Sequence, residues 1–136
     1  MNRREARELL FTLVFEYDFK RSEDFSATYA SALENREFFE EDDYVKSAFE
    51  GIAENIEAID EKISANAESW SISRLSKVSL AIMRIAVYEM LFIDAIPMNV
   101  SINEAVELAK KFDEEKSPKF INGVLNAIGK AAEKDN

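Results

Sequence analysis

An all-α fold of about six or seven helices is predicted by three features of this sequence. Apolar residues recur at helical spacing along nearly its whole length. Three glycines and two prolines among 136 residues leave little that would interrupt a helix. Strand-like alternation of apolar and polar residues, internal repeats and low-complexity tracts are all absent. A chain this long can form one domain with a real core, burying roughly two-thirds of its unfolded surface. Its 47% hydrophobic and 32% charged residues suit a globular fold rather than a disordered one.

Taken in order, the first helix carries Ala6, Leu9, Leu10, Leu13, Val14 and Tyr17 on one apolar stripe, and Asn2 and Glu5 have capping-box spacing at its start. A second helix is expected after Ser22, using Phe25, Tyr29 and Leu33. The acidic stretch "ENREFFEEDD", with six acids and one arginine, reads as a connection. A single helix from about Asp43 to about Asn66 follows, with the stripe Val45, Ala48, Phe49, Ile52, Ile56, Ile59 and Ile63. "SWSISRLSKVSLAIMRIAVYEMLF" holds the most hydrophobic segment, apolar almost all round, as a central helix would be. Pro97 in "IPMN" breaks it. Ser101 and Glu104 have capping-box spacing, predicting a helix that buries Ile102, Ala105, Val106, Leu108, Ala109 and Phe112. In "SPKFINGVLNAIG", Ser117 is a good N-cap and Pro118 fits the first helical position. Gly123 within that last helix reads as a point of close helix approach.

Composition excludes several function classes. With no Cys, disulfides, thiolate metal sites and cysteine nucleophiles are out, and a reducing cytoplasm is the default compartment. With no His, the commonest general base and metal ligand is missing, and no metal site is expected. No phosphate-cradling glycine loop or H-E-x-x-H pattern appears, and paired carboxylates such as Glu104 and Glu107 read as helix cap and solvated face. The chain is therefore not expected to be an enzyme or to use a cofactor. "MNRREARELL" lacks the apolar run of a secretion signal, and Val78–Ile93, broken by Ser79, Arg84 and Glu89, is too short to span a membrane.

The formal charge of -10 argues against non-specific nucleic-acid binding, which rests on neutralising phosphates. Yet the first seven residues hold Arg3, Arg4 and Arg7 against Glu5 alone. Positive charge at a helix N-terminus is electrostatically unfavourable, so this cluster stands out. Lys119 and Phe120 likewise sit in the first turn of a helix, where free backbone N–H groups favour anions. A ring beside such a cradle can stack an unpaired base. Arg84, inside the apolar run "IMRIAVYEM", must be paired, and Glu89, Glu104 or Glu107 are the candidate partners, with Arg84–Glu104 the pair chosen.

Three stretches in one order, "RREARELLFTLVF", "IMRIAVYEML…IPMNVSINEAVELAKKF" and "SPKFINGVLNAIG", resemble the NusB family of bacterial transcription antitermination factors. "INEAVELAKKF" followed closely by "KFINGVL" is the most specific part, and the likeness covers nearly the whole chain. The resemblance implies a single all-helical domain of two perpendicular sub-bundles, here about residues 1–66 and 70–136. Related domains fused to RNA cytosine methyltransferases are longer, so this chain looks like the stand-alone factor. The implied function is binding of single-stranded boxA RNA together with the small-subunit ribosomal protein NusE. That pair would act within an RNA polymerase antitermination complex that keeps ribosomal RNA operons transcribed. By motif position, RNA contacts fall on Arg3, Arg4, Arg7, Thr12, Lys119 and Phe120, and protein-partner contacts on Phe15 and Ser79. Thr12 and Phe15 stand where the family usually has Gln and Tyr, and Ser79 and Leu80 where it often has an acid and an arginine. Weak RNA affinity alone and tighter binding with NusE are therefore expected. The alternatives are a helical protein-interaction adaptor whose RNA binding is weak or lost, and, for the Phe11/Phe15 flank, a homodimer instead of NusE.

Overall fold

The computed structural model describes residues 1–21, 24–35, 42–67 and 74–134. Ser22, most of the acidic connection and the whole of "SWSIS" lie outside them. Among the described residues the chain forms seven helices and no strand: α1 (Arg3–Asp18), α2 (Phe25–Asn35), α3 (Asp43–Glu54), α4 (Ile56–Asn66), α5 (Lys77–Phe92), α6 (Met98–Phe112) and α7 (Ser117–Lys134). None of them is long and apolar enough to cross a membrane.

The core forms where the apolar stripes meet. Helix α1 packs against α3 and α5, and Leu10, Leu13 and Val14 of α1 and Val45, Phe49 and Ile52 of α3 are all essentially inaccessible. Phe49 is the hub of an aromatic cluster, meeting Tyr17 and Phe25 edge-on at 5.6 and 6.3 Å and stacking on Tyr29 at 6.5 Å. Burial of each such side chain contributes roughly 1.5–3 kcal/mol, with edge-to-face pairing adding to it. In α2, Leu33 lies outside this cluster and is exposed, contrary to the predicted stripe.

Helix α5 is the centre of the molecule. It is buried from Ser79 through Val87 and packs against α1, α3, α4, α6 and α7. Such encirclement explains why its sequence is apolar all round. At its middle, Arg84 is 1% exposed. Its Nε and Nη2 donate to the Asp60 carboxylate at 2.8 and 2.7 Å, and its Nη1 lies 3.1 Å from Asp18 Oδ1. Lys77 Nζ lies 2.8 Å from the other Asp18 oxygen. The expected Arg84–Glu104 pair is thus corrected. Glu89 is five residues on and so projects from another face of α5, while Glu104 lies on α6 and holds Arg4. Burial alone would lower the Arg84 pKa, but Asp60 and Asp18 outweigh it and raise it.

Three local expectations also change. The helix predicted from Asp43 to Asn66 is two helices, broken at Asn55, whose side-chain amide donates to the Gly51 carbonyl at 2.8 Å. The stripe survives because the register of buried residues continues across the break: Ile52, Ile56, Ile59 and Ile63 are all buried. Ser101 does not cap α6, which opens three residues earlier, with the Val100 and Ser101 amides donating to the Pro97 carbonyl. The capping box of α1, Asn2 with Glu5, is formed. Gly51, rather than Gly123, is the tight glycine: a Cβ there would lie 2.5 Å from Tyr88 Cε1, whereas one at Gly123 would meet nothing within 4 Å.

Candidate nucleic-acid interface

The first turn of α1 carries the three arginines to three different fates. Arg3 is exposed and lies over the Tyr44 ring, 4.1 Å from its centroid. Arg4 has a side chain 64% exposed and grips Glu104 through Nε and Nη2 at 3.1 and 2.9 Å. Those hydrogen bonds hold the Glu104 carboxyl below its ordinary range. Arg7 is 5% exposed and donates through Nε and Nη2 to Glu89 at 2.8 and 3.0 Å.

Glu89 is the joint of this end of the molecule. Besides Arg7 of α1, its carboxylate accepts from the Tyr44 hydroxyl of α3 and from Ser101 Oγ of α6 at 2.8 Å. Four helices therefore meet on one buried, fully bonded anion. Burial would lower the Arg7 pKa, but Glu89 outweighs it and holds the guanidinium firmly charged. Burial and the Glu89 charge push the Tyr44 hydroxyl far above its usual value. Arg7, expected at the RNA surface, is instead a structural cation. It lies at the edge of the α1 stripe, and α3, α5 and α6 converge to cover it.

A cleft of about 270 Å³ opens between α1 and α6 beside this joint, lined among others by Arg4, Glu8, Glu104, Glu107, Lys110 and Lys111. Lys111 Nζ sits 2.6 Å from Glu8 Oε1, and Lys110 Nζ is 3.4 Å from Glu107 Oε1. Sequence reasoning missed Lys110 and Lys111, because their adjacency to α1 depends on helix packing. The doublet itself, at the end of "ELAKK", was the available signal.

Below the cleft, aromatic rings continue down α1. Phe11 stacks on Phe112 at 5.0 Å, and Phe15 meets Phe11 at 6.1 Å and Phe19 edge-on at 5.1 Å. Phe19 is 62% exposed and Phe112 is 40% exposed, so Phe112 is not the core residue its spacing predicted. Thr12 is half-buried and donates to its own helix, to the Glu8 carbonyl at 3.2 Å.

The Lys-Phe corner lies beyond the C-terminal end of α6, in the first turn of α7. Lys119 is exposed, while Phe120 is half-buried against the core and lines a second cleft with Arg74, Leu75, Ser76, Ser79, Glu114, Lys116 and Ser117. Ser79 is buried there, its hydroxyl donating to Asp113 and its amide capped by Ser76 Oγ at 3.0 Å. The arginines and the Lys-Phe corner do not share a cleft. Among the described residues no cluster of acidic side chains is arranged to hold a metal ion.

Comparison with known proteins gives a consistent assignment. The NusB family profile matches residues 4–130. The transcription antitermination protein NusB of Clostridium novyi is 41% identical, aligned over 96% of this chain and 100% of its own length. The T. maritima NusB structure superposes with a TM-score of 0.82 at 38% identity, covering 96% of this chain and 92% of that one. A structure of antitermination factors NusB and NusE in complex with double-stranded RNA matches with a TM-score of 0.82 at 31% identity, covering 95% and 96%. With its near end-to-end alignment and the profile match together, this chain belongs to the NusB family.

Proposed function

We propose that this chain is a transcription antitermination factor that binds single-stranded boxA RNA jointly with NusE. It would work within an RNA polymerase antitermination complex serving ribosomal RNA operons. The observation that carries the reading is the pairing of exposed cations with an accessible ring on an otherwise acidic molecule. Lys119 is exposed beside the half-buried Phe120, and Arg3 and Arg4 present exposed guanidinium groups. A cation beside a ring suits splayed single strands, whose bases stack while their phosphates track a small positive path. The similarity to a NusB–NusE–RNA complex supports the same pairing of partners.

Within this reading Arg3, Arg4, Lys119 and Phe120 contact RNA, and Arg7 acts by fixing the first turn of α1. Thr12 contributes little, since its hydroxyl is engaged by its own helix. The half-buried Phe15 and the exposed ring of Phe19 form the NusE-facing surface, which a second copy of the chain would cover in the absence of NusE. The Asp113-bound Ser79 supports the wall of the second cleft.

Titration of labelled boxA RNA with and without NusE tests the proposal. Affinity is expected to rise when NusE is present; equal affinity in both arms defeats it. A protein-interaction adaptor is the competing reading, favoured by the engagement of Arg4 with Glu104 and the burial of Arg7. Replacing Arg3 and Arg4 by Ala separates the two: an RNA binder loses affinity and salt sensitivity, whereas an adaptor retains its protein partner unchanged.

A further inference from the structure

The α1–α6 cleft has a charge arrangement that neither α1 nor α6 reveals alone. Each cation at the cleft holds one carboxylate: Arg4 with Glu104, Lys111 with Glu8, Lys110 with Glu107, and behind them Arg7 with Glu89. Two of these pairs, Arg4–Glu104 and Lys111–Glu8, bridge the two helices across the cleft. Their cations are exposed, with side chains 64% and 57% accessible, so solvent and ligands reach them. A carboxylate in a guanidinium fork occupies the place a phosphate would take, and the two anions compete for the same donors.

We propose that this cleft is a phosphodiester-binding site held closed by its own acids, with Arg4 and Lys111 as phosphate ligands and Glu104 and Glu8 as internal stand-ins for the phosphates. The site rests on the RNA-binding reading above and deepens it, since it lies along α6 between the arginine end of α1 and the Lys-Phe corner. Phosphate entry displaces each carboxylate into water. Because the cation of each pair is open to solvent, the pairs are weak and the displacement costs little, yet it subtracts from the affinity of every strand that binds. The acids thereby tune the protein toward weak binding alone. A rigid RNA–partner assembly would supply the extra free energy that opens both pairs at once.

The experiment measures binding of a labelled single-stranded boxA RNA to the full chain in the presence of NusE, across a salt series. The variants are Glu8→Gln, Glu104→Gln, Lys111→Gln and the double variant Glu8→Gln/Lys111→Gln. Glu61→Gln, an exposed carboxylate on α4, controls for the general loss of negative charge. Relative to that control, Glu8→Gln and Glu104→Gln are each expected to tighten binding about two- to fivefold. Lys111→Gln is expected to weaken binding and to reduce the salt slope by about 0.7, one phosphate contact on a single strand. In the Lys111→Gln background, Glu8→Gln is expected to add nothing, because its competitor role requires the lysine. Tightening no greater than that of Glu61→Gln, or full additivity of the Glu8 and Lys111 changes, overturns the latch. Absence of RNA binding by the unaltered chain with NusE instead overturns the functional reading on which it rests.

Discussion

Replacing Arg7 by Ala separates a structural cation from an RNA ligand. In the folded protein Arg7 and Glu89 are both almost inaccessible and joined by two hydrogen bonds. Removing the arginine leaves the Glu89 carboxylate buried with only Tyr44 and Ser101 as donors. Breaking a buried pair from one side typically costs about 3–5 kcal/mol. Unfolding entropy of about 2.1 cal/mol/K per residue converts that cost, for a chain of this length, into a fall in Tm of about 10–17 °C. Arg7→Lys is expected to recover little of it, because an ammonium cannot reproduce the two-pronged fork. Arg4→Ala, which removes a solvent-exposed guanidinium, is expected to leave Tm within about 2 °C while reducing the salt slope of RNA binding. The assay is thermal unfolding followed by circular dichroism at 222 nm, paired with RNA titrations well below each midpoint. A loss of less than about 3 °C for Arg7→Ala, together with a salt slope reduced as for Arg4→Ala, would refute the assignment of Arg7 to the interior.

Three further outcomes follow from the glycines and the acids. Gly123→Ala is expected to raise stability by about 0.5–1 kcal/mol, since the site is helical, exposed and empty of neighbours. Gly51→Ala is expected to lower it by about 1 kcal/mol or more, because the new methyl must displace a Tyr88 ring stacked on Phe92 at 5.3 Å; chemical denaturation reads both. For pH, burial alone would raise the Asp18 pKa, but Lys77 and Arg84 outweigh it and lower it, and Arg4 lowers that of Glu104. A carboxyl whose folded pKa is depressed stabilises the fold above its unfolded pKa of about 4, and that stability is lost as pH falls through the folded value. With no His in the chain, Tm is expected to stay level from pH 8 to about 5.5 and to fall below about pH 4. A marked decline between pH 8 and 6 would contradict this account.

The sequence by itself determined the helices and most of the core. Spacing of Leu10, Leu13 and Val14, or of Val45, Phe49 and Ile52, records burial directly, because a helix repeats every 3.6 residues whatever it packs against. It also carried the Asn2–Glu5 cap, whose geometry is local, and the ordered motifs of the family. Only the tertiary structure decided the charge partners. Arg7 meets Glu89 from 82 positions away, Arg4 meets Glu104 from 100, and Arg84 turns to Asp60 rather than to an acid beside it. An ion pair depends on distance in space, and periodicity gives a residue's direction from its own axis without saying which helix lies there. Arg7 and Phe112 show the consequence at stripe edges: one is covered and the other left open by how α3, α5 and α6 converge on α1. The same convergence makes a cleft of Arg4, Glu8, Glu104 and Lys111, which exists only because charged side chains of α1 and α6 meet across the space between the two helices.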